Sequence, residues 1–138
     1  MKIYKQMDNE WFGRFSEGAD LKESILQLAK ENKIESGYFN IIGAVKDSRF
    51  SYYDQTQKKY LEMHLDENAE ILNCTGNITL LDRELFVHAH ITLADNEGRS
   101  YGGHLMAATI FSAEIYLKKF PNPVERGPDE STGLKLIK

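Results

Sequence analysis

The 138-residue chain contains one cysteine, one tryptophan and three prolines. A single thiol, Cys74, excludes any internal disulfide framework and fits a reducing compartment. No stretch approaches the ~20 apolar residues of a membrane span. The opening MKIYKQMDNEWFGRF is too polar for a secretory leader, so a cytoplasmic protein is expected. An excess of positive charge is missing as well. The 17 basic and 21 acidic side chains leave a formal net charge of −4, which offers no global attraction to a polyanion, so direct nucleic-acid binding is not expected. Internal repeats, low-complexity runs and interdomain linkers are also absent. At this length residues 1–138 read as one domain, large enough to bury a core without a metal or disulfide.

What is present is mainly strand-forming. The seven tyrosines and seven phenylalanines suit a sheet. Residues 11–15, Trp-Phe-Gly-Arg-Phe, predict an edge strand or the lead into one. Asp20 is a good helix N-cap with Glu23 three residues on. The helix is expected from Leu21 to about Asn32, burying Leu21, Ile25, Leu28 and Ala29 with Leu26 at the flank. Ser36–Val45 reads as a buried strand, with Gly43 marking a bulge or a close backbone approach. Arg49–Asp54 and Tyr60–Leu65 read as a hairpin, whose second arm carries His64 as a surface or interface residue. Ala69–Leu81 alternates, with Leu72, Cys74, Gly76, Ile78 and Leu80 on one side, which makes Cys74 a buried structural thiol. Leu105–Thr109 reads as a turn or brief helix before a last strand over Ser112–Phe120, ended by Pro121 and Pro123. The polar tail beyond Val124 is expected to pack back through Leu134 and Leu136. This order favours an α/β domain dominated by a mixed or antiparallel sheet.

Chemistry concentrates between Leu85 and His104, LFVHAHITLADNEGRSYGGH, which holds three of the four histidines. Leu85, Val87, Ala89, Ile91 and Leu93 point to a core; Phe86, His88, His90 and Thr92 point the other way. The two imidazoles stand roughly 7 Å apart at their backbones by strand rise, within reach of one metal ion. Asp95 to Gly98 supplies a turn, after which the chain returns and brings His104 near the pair. His88, His90 and His104 are therefore the candidate metal ligands, for Zn²⁺ or another divalent cation with one position left open. The competing reading has His88 and His90 hydrogen-bonded inside a subunit interface or polar cleft. Glu70, Glu114, Thr92, Asn77 and Asn73 are candidates to orient the rings, and Arg14 and Arg126 to supply positive charge toward a small anionic or carbonyl ligand.

Several short stretches carry a resemblance. They are Arg14 with Glu17-Gly18-Ala19-Asp20-Leu21, Ile42-Gly43-Ala44, Cys74-Thr75-Gly76-Asn77-Ile78, His88-Ala89-His90 and Gly102-Gly103-His104-Leu105. Ala113-Glu114-Ile115 and Arg126 with Asp129-Glu130-Ser131-Thr132-Gly133-Leu134 complete the set. In order, and over nearly the whole chain, they resemble the PPC (plant and prokaryote conserved) domain. That domain is found alone in bacteria and archaea and fused to AT-hooks in plant nuclear proteins. The resemblance implies an α/β (α+β) fold with a curved, mixed, largely antiparallel sheet, one main helix, and assembly as a homotrimer. It also brings a DNA-associated regulatory or self-association role without catalysis as the alternative function. No Arg-Gly-Arg-Pro core of an AT-hook occurs; the nearest text is Glu125-Arg126-Gly127-Pro128. The chain is also similar to acetolactate decarboxylase, whose zinc is held by a His-x-His pair and a third histidine. Those positions correspond here to His88, His90 and His104.

Overall fold

The structure is a computed structural model and describes residues 2–138, with side chains from residue 7 onward. Its elements are β1 (Lys2–Met7), β2 (Glu10–Arg14), α1 (Leu21–Glu31), β3 (Gly37–Asp54), β4 (Lys59–Leu65), β5 (Ala69–Leu81), β6 (Glu84–Ala94), β7 (Ser100–Lys119), β8 (Glu125–Pro128) and β9 (Lys135–Ile137). All nine strands belong to one sheet, antiparallel except where β8 runs parallel to β5. The expected curved, largely antiparallel sheet with a single main helix is what forms.

The sheet closes on itself. β3 pairs with β7 along almost its whole length, from Gly37 opposite Lys119 to Ser51 opposite His104. The first half of β3 also pairs with β5, β5 pairs with β6, and the end of β6 pairs with the start of β7. The four strands β3, β5, β6 and β7 thus form an unbroken circuit of pairings. β4 extends it along the second half of β3, and β2 along the last part of β7. Inside the curve Phe39, Ile41, Val45, Cys74, Ile78, Val87, Ile91, Leu93, Leu105, Ile110, Ile115 and Leu117 share one core with Leu21, Ile25, Leu28 and Ala29 of α1. Burying side chains of this size stabilises by roughly 1.5–3 kcal/mol each.

The helix follows the sequence reading closely. Asp20 Oδ1 accepts from the Glu23 amide at 2.9 Å, while Oδ2 accepts from the Ala108 amide at 3.0 Å. One carboxylate therefore caps α1 and ties it to β7. Trp11, buried on β2, reaches the far end of the helix by donating to Asn32 Oδ1.

Four expectations are corrected. Leu105–Thr109 is neither turn nor helix: β7 runs unbroken from Ser100 to Lys119, and β3 likewise joins the two segments that read as separate strands. Register shifts along the β3–β7 ladder let the strands bend sharply without losing their pairing. At Gly43 the backbone has φ +147°, and a side chain there would run into the Ser112 carbonyl, so it is both a bulge position and a close approach. Leu72 is exposed rather than buried, because a shift between Ile71 and Asn73 turns it outward while Ile71 and Cys74 stay inside. The tail packs back on the sheet as expected, with Leu134 half-buried, but it does so as two strands, β8 and β9, and Leu136 lies exposed at the sheet edge.

Candidate metal centre

The face of β6 opposite the core carries His88 and His90, as the alternation requires, because Val87, Ala89, Ile91 and Leu93 are buried on the other side. The turn that brings back the third histidine is built by Asp95. Its carboxylate accepts from the Glu97 and Arg99 amides, and Gly98 takes the positive φ of +77°. The resulting register sets His104 of β7 directly opposite His90. Ring centroids lie 5.1 Å apart for His88–His90, 5.1 Å for His88–His104 and 5.8 Å for His90–His104. One nitrogen from each ring falls within 4.8 Å of the other two. Tetrahedral ligation at Zn–N lengths of about 2.1 Å would need nitrogens about 3.4 Å apart, a modest inward turn of the rings.

The electrostatics keep two of these rings neutral. Burial is the main cause that lowers the His88 and His104 pKa values; Arg126 adds to it at His88, and the neighbouring histidines at both. For His104 the result is about 4. Neutral rings have a free lone pair to give, so the donor set suits a divalent cation.

The centre forms one end of a cleft of about 640 Å³ walled by Ser51, Tyr53 and Tyr60 on the β3–β4 side and by Ser131, Thr132 and Leu134 on the tail. The Tyr60 ring packs against His104 at 5.0 Å and against Tyr53 at 5.0 Å. Tyr53 in turn donates to the Thr132 carbonyl at 2.6 Å. Asp129 orders this tail by accepting from Ser131 Oγ, Thr132 Oγ1 and the Thr132 amide, which holds its own carboxyl below the ordinary carboxylate range. Ser51, the cross-strand neighbour of His104, is buried with its hydroxyl unpaired. No carboxylate lines the cleft among the described residues.

Of the two arginines considered for the site, Arg126 is brought in and Arg14 is not. Arg126 is only 6% exposed; its Nη2 lies 2.8 Å from Asn77 Oδ1 and 3.5 Å from His88 Nδ1. Arg14 stands opposite Glu114, ten residues along β7 from His104, or roughly 30 Å by strand rise. The other proposed helpers are occupied or elsewhere. Asn77 holds Arg126 and Asn73 bonds Asn40, and none of the described hydrogen bonds joins Glu70, Glu114 or Thr92 to an imidazole. Sequence reading did not place Ser51, Tyr53 and Tyr60 at the histidines, because they meet them only through the β3–β7 and β3–β4 pairings; the 131–134 wall arrives with the tail, through the pairing of β8 with β5 and the Tyr53–Thr132 hydrogen bond. His64 is an exposed residue as expected, 3.5 Å from Asp47 and grouped with Asp66.

A profile of the Plants and Prokaryotes Conserved (PCC) domain matches residues 3–121. The chain belongs to the PCC domain family. Among solved structures, this PCC chain is similar to a metal-containing protein from Archaeoglobus fulgidus, with 34% identity, 100% of this chain and 99% of that one covered, and a TM-score of 0.90. It is equally similar to a PPC protein from Pyrococcus horikoshii (34% identity, 96% and 93% covered, TM-score 0.90). A candidate DNA-binding protein from Bacteroides thetaiotaomicron follows at 25% identity, 98% and 95% coverage and TM-score 0.93. The likeness to acetolactate decarboxylase from Bacillus subtilis, at 12% identity, 91% and 59% coverage and TM-score 0.61, is one of fold alone. The PCC chain is also 32% identical over 124 residues to a bifunctional GlmU protein of Synechococcus, covering 87% of this chain but only 18% of that much longer relative.

Proposed function

We propose that this PCC chain is a binding module that holds a divalent cation, Zn²⁺ foremost, on His88, His90 and His104, and takes a small anionic or carbonyl ligand in the adjoining cleft. The observation that carries this is the meeting of three imidazole nitrogens within 4.8 Å of one another. The likeness to a metal-containing archaeal protein along the full chain supports it. A bound cation would act as a Lewis acid toward a ligand oxygen. No carboxylate lines the cleft among the described residues, so any proton transfer there would fall to imidazole and phenol groups. Elemental analysis after metal loading and dialysis, both in acetate-containing buffer, tests the reading. About one equivalent should stay with the wild type and be lost from His88→Ala; wild-type protein that emerges metal-free rejects it.

Self-association belongs to the same proposal, as a homotrimer in the cytoplasm. Phe12 and Tyr116 are cross-strand partners on one sheet face, which Tyr38 and Ile42 share, and all four are exposed. Exposed aromatic and aliphatic side chains interspersed with polar ones on one face suit another copy of the chain.

A second reading is a DNA-associated regulatory or self-association module without catalysis, supported by the likeness to the Bacteroides protein and by the same cleft chemistry. The net charge of −4 favours reaching DNA through a partner over direct contact. Duplex titration at two salt concentrations separates these routes: direct recognition predicts binding that weakens with salt, and no binding at low salt eliminates it.

A further inference from the structure

Histidines that bind metal ordinarily donate their second ring N–H to a carboxylate or carbonyl. The group beside His88 is instead a guanidinium. Arg126 can only donate, so its contact with His88 Nδ1 at 3.5 Å makes that nitrogen the acceptor and leaves the neutral ring protonated on Nε2. His88 then has two ways to ligate, and both oppose Arg126. Through Nδ1, the metal and the guanidinium want the same lone pair. Through Nε2, the proton must move to Nδ1, where it faces an N–H and a full positive charge.

The guanidinium is poorly placed to step aside. Nε donates to Thr79 Oγ1 at 2.9 Å, Nη1 to the Lys135 carbonyl at 2.9 Å and Nη2 to Asn77 Oδ1 at 2.8 Å. Its plane lies over the Phe86 ring, 5.4 Å from the centroid. With imidazoles as the ligands and no carboxylate in the cleft lining among the described residues, a dication beside Arg126 concentrates positive charge that no side chain of that lining offsets.

We propose that Arg126 is a built-in antagonist of cation binding at His88, so that the centre takes a divalent cation tightly only together with an anion that offsets the guanidinium. This rests on the metal-binding reading above and adds the coupling of metal to anion. The anion is small and weakly chelating, of the carboxylate class, and cation and anion each raise the other's affinity, as linkage demands.

The test is titration of Co²⁺, followed by its visible absorption, with and without acetate at fixed ionic strength. Without acetate, Arg126→Gln should bind Co²⁺ about tenfold more tightly than wild type, the order of one charge-assisted hydrogen bond. Acetate should tighten binding to wild type and not to the variant. A folded variant that binds no more tightly, or a wild type indifferent to acetate, overturns the proposal. Should the variant not fold, ring ¹⁵N shifts of metal-free wild type decide: His88 protonated on Nε2 is expected, and protonation on Nδ1 overturns it. Co²⁺ bound through His90 and His104 with no response to Arg126 or acetate leaves the metal reading standing and sinks this one. No Co²⁺ bound by any form sinks both.

Discussion

His88 and His104 lie half-buried, and burial lowers both pKa values, His104 to about 4 against 6.5 for the free side chain. The sign of the pH effect follows. Between those two values the unfolded chain binds protons that the folded one does not, so stability falls as pH drops from about 6.5 toward 4 and is intact above 6.5. Metal-free protein should lose on the order of 2 kcal/mol over that window, after allowance for the rings' contact with solvent. Urea midpoints at pH 7 and pH 5 measure it, and His104→Gln should flatten the difference. Cys74 is the opposite case: full burial pushes its thiol up to about 12. It should resist a thiol reagent in the native state and react fully in denaturant. Its role was legible because it shares parity with Ile78, whereas Leu72, two residues earlier, misled. The shift beside Leu72 leaves no mark in composition, so alternation alone assigned it to the wrong face.

At the scale of elements, α1 was readable in full because its cap, stripe and end are local. Asp20→Ala should cost more than an ordinary cap, about 2–3 kcal/mol, because it also orphans the Ala108 amide on β7. Chemical denaturation of the variant checks this; a loss below about 0.5 kcal/mol would mean the β7 tether contributes nothing. The long strands were readable only in pieces. β3 and β7 bend by register shifts, and sequence reading took the small and polar residues at those bends for breaks. Gly43 was the exception, since its glycine declared the irregularity. Gly43→Ala should be strongly destabilising, about 3 kcal/mol or more, because it combines a disfavoured φ with a clash against the Ser112 carbonyl. The three histidines were legible for the same reason as the helix: a period of two and one tight turn place them. The tyrosine wall was not, since it lies across a pairing that joins Ser51 to His104, far apart in the sequence.

For the whole molecule, the exposed face around Phe12 and Tyr116 gives the trimer proposal its handle. Phe12→Lys should leave the far-ultraviolet dichroism unchanged while light scattering shifts from three chains toward one. A wild type that scatters as a single chain at all concentrations discards the trimer. The tail lines the cleft and supplies Arg126, so the chain's last residues and its central histidines meet at one place although they lie far apart in sequence.

The circuit of β3, β5, β6 and β7 also sets a timetable. Gly37 meets Lys119 and Ser51 meets His104, pairings that join distant parts of the chain and must pay for large loops before they form. High contact order of this kind places folding in the millisecond-to-second range. The candidate metal ligands lie where β6 meets β7, and Ser51 and Tyr60 reach them only once β3 has docked along β7. Refolding in the presence of Co²⁺ should therefore show the tetrahedral absorption band arriving with the slowest phase, after most secondary structure is in place. Arrival of that band in the earliest phase would mean that the β6–β7 hairpin assembles the centre by itself, ahead of the barrel.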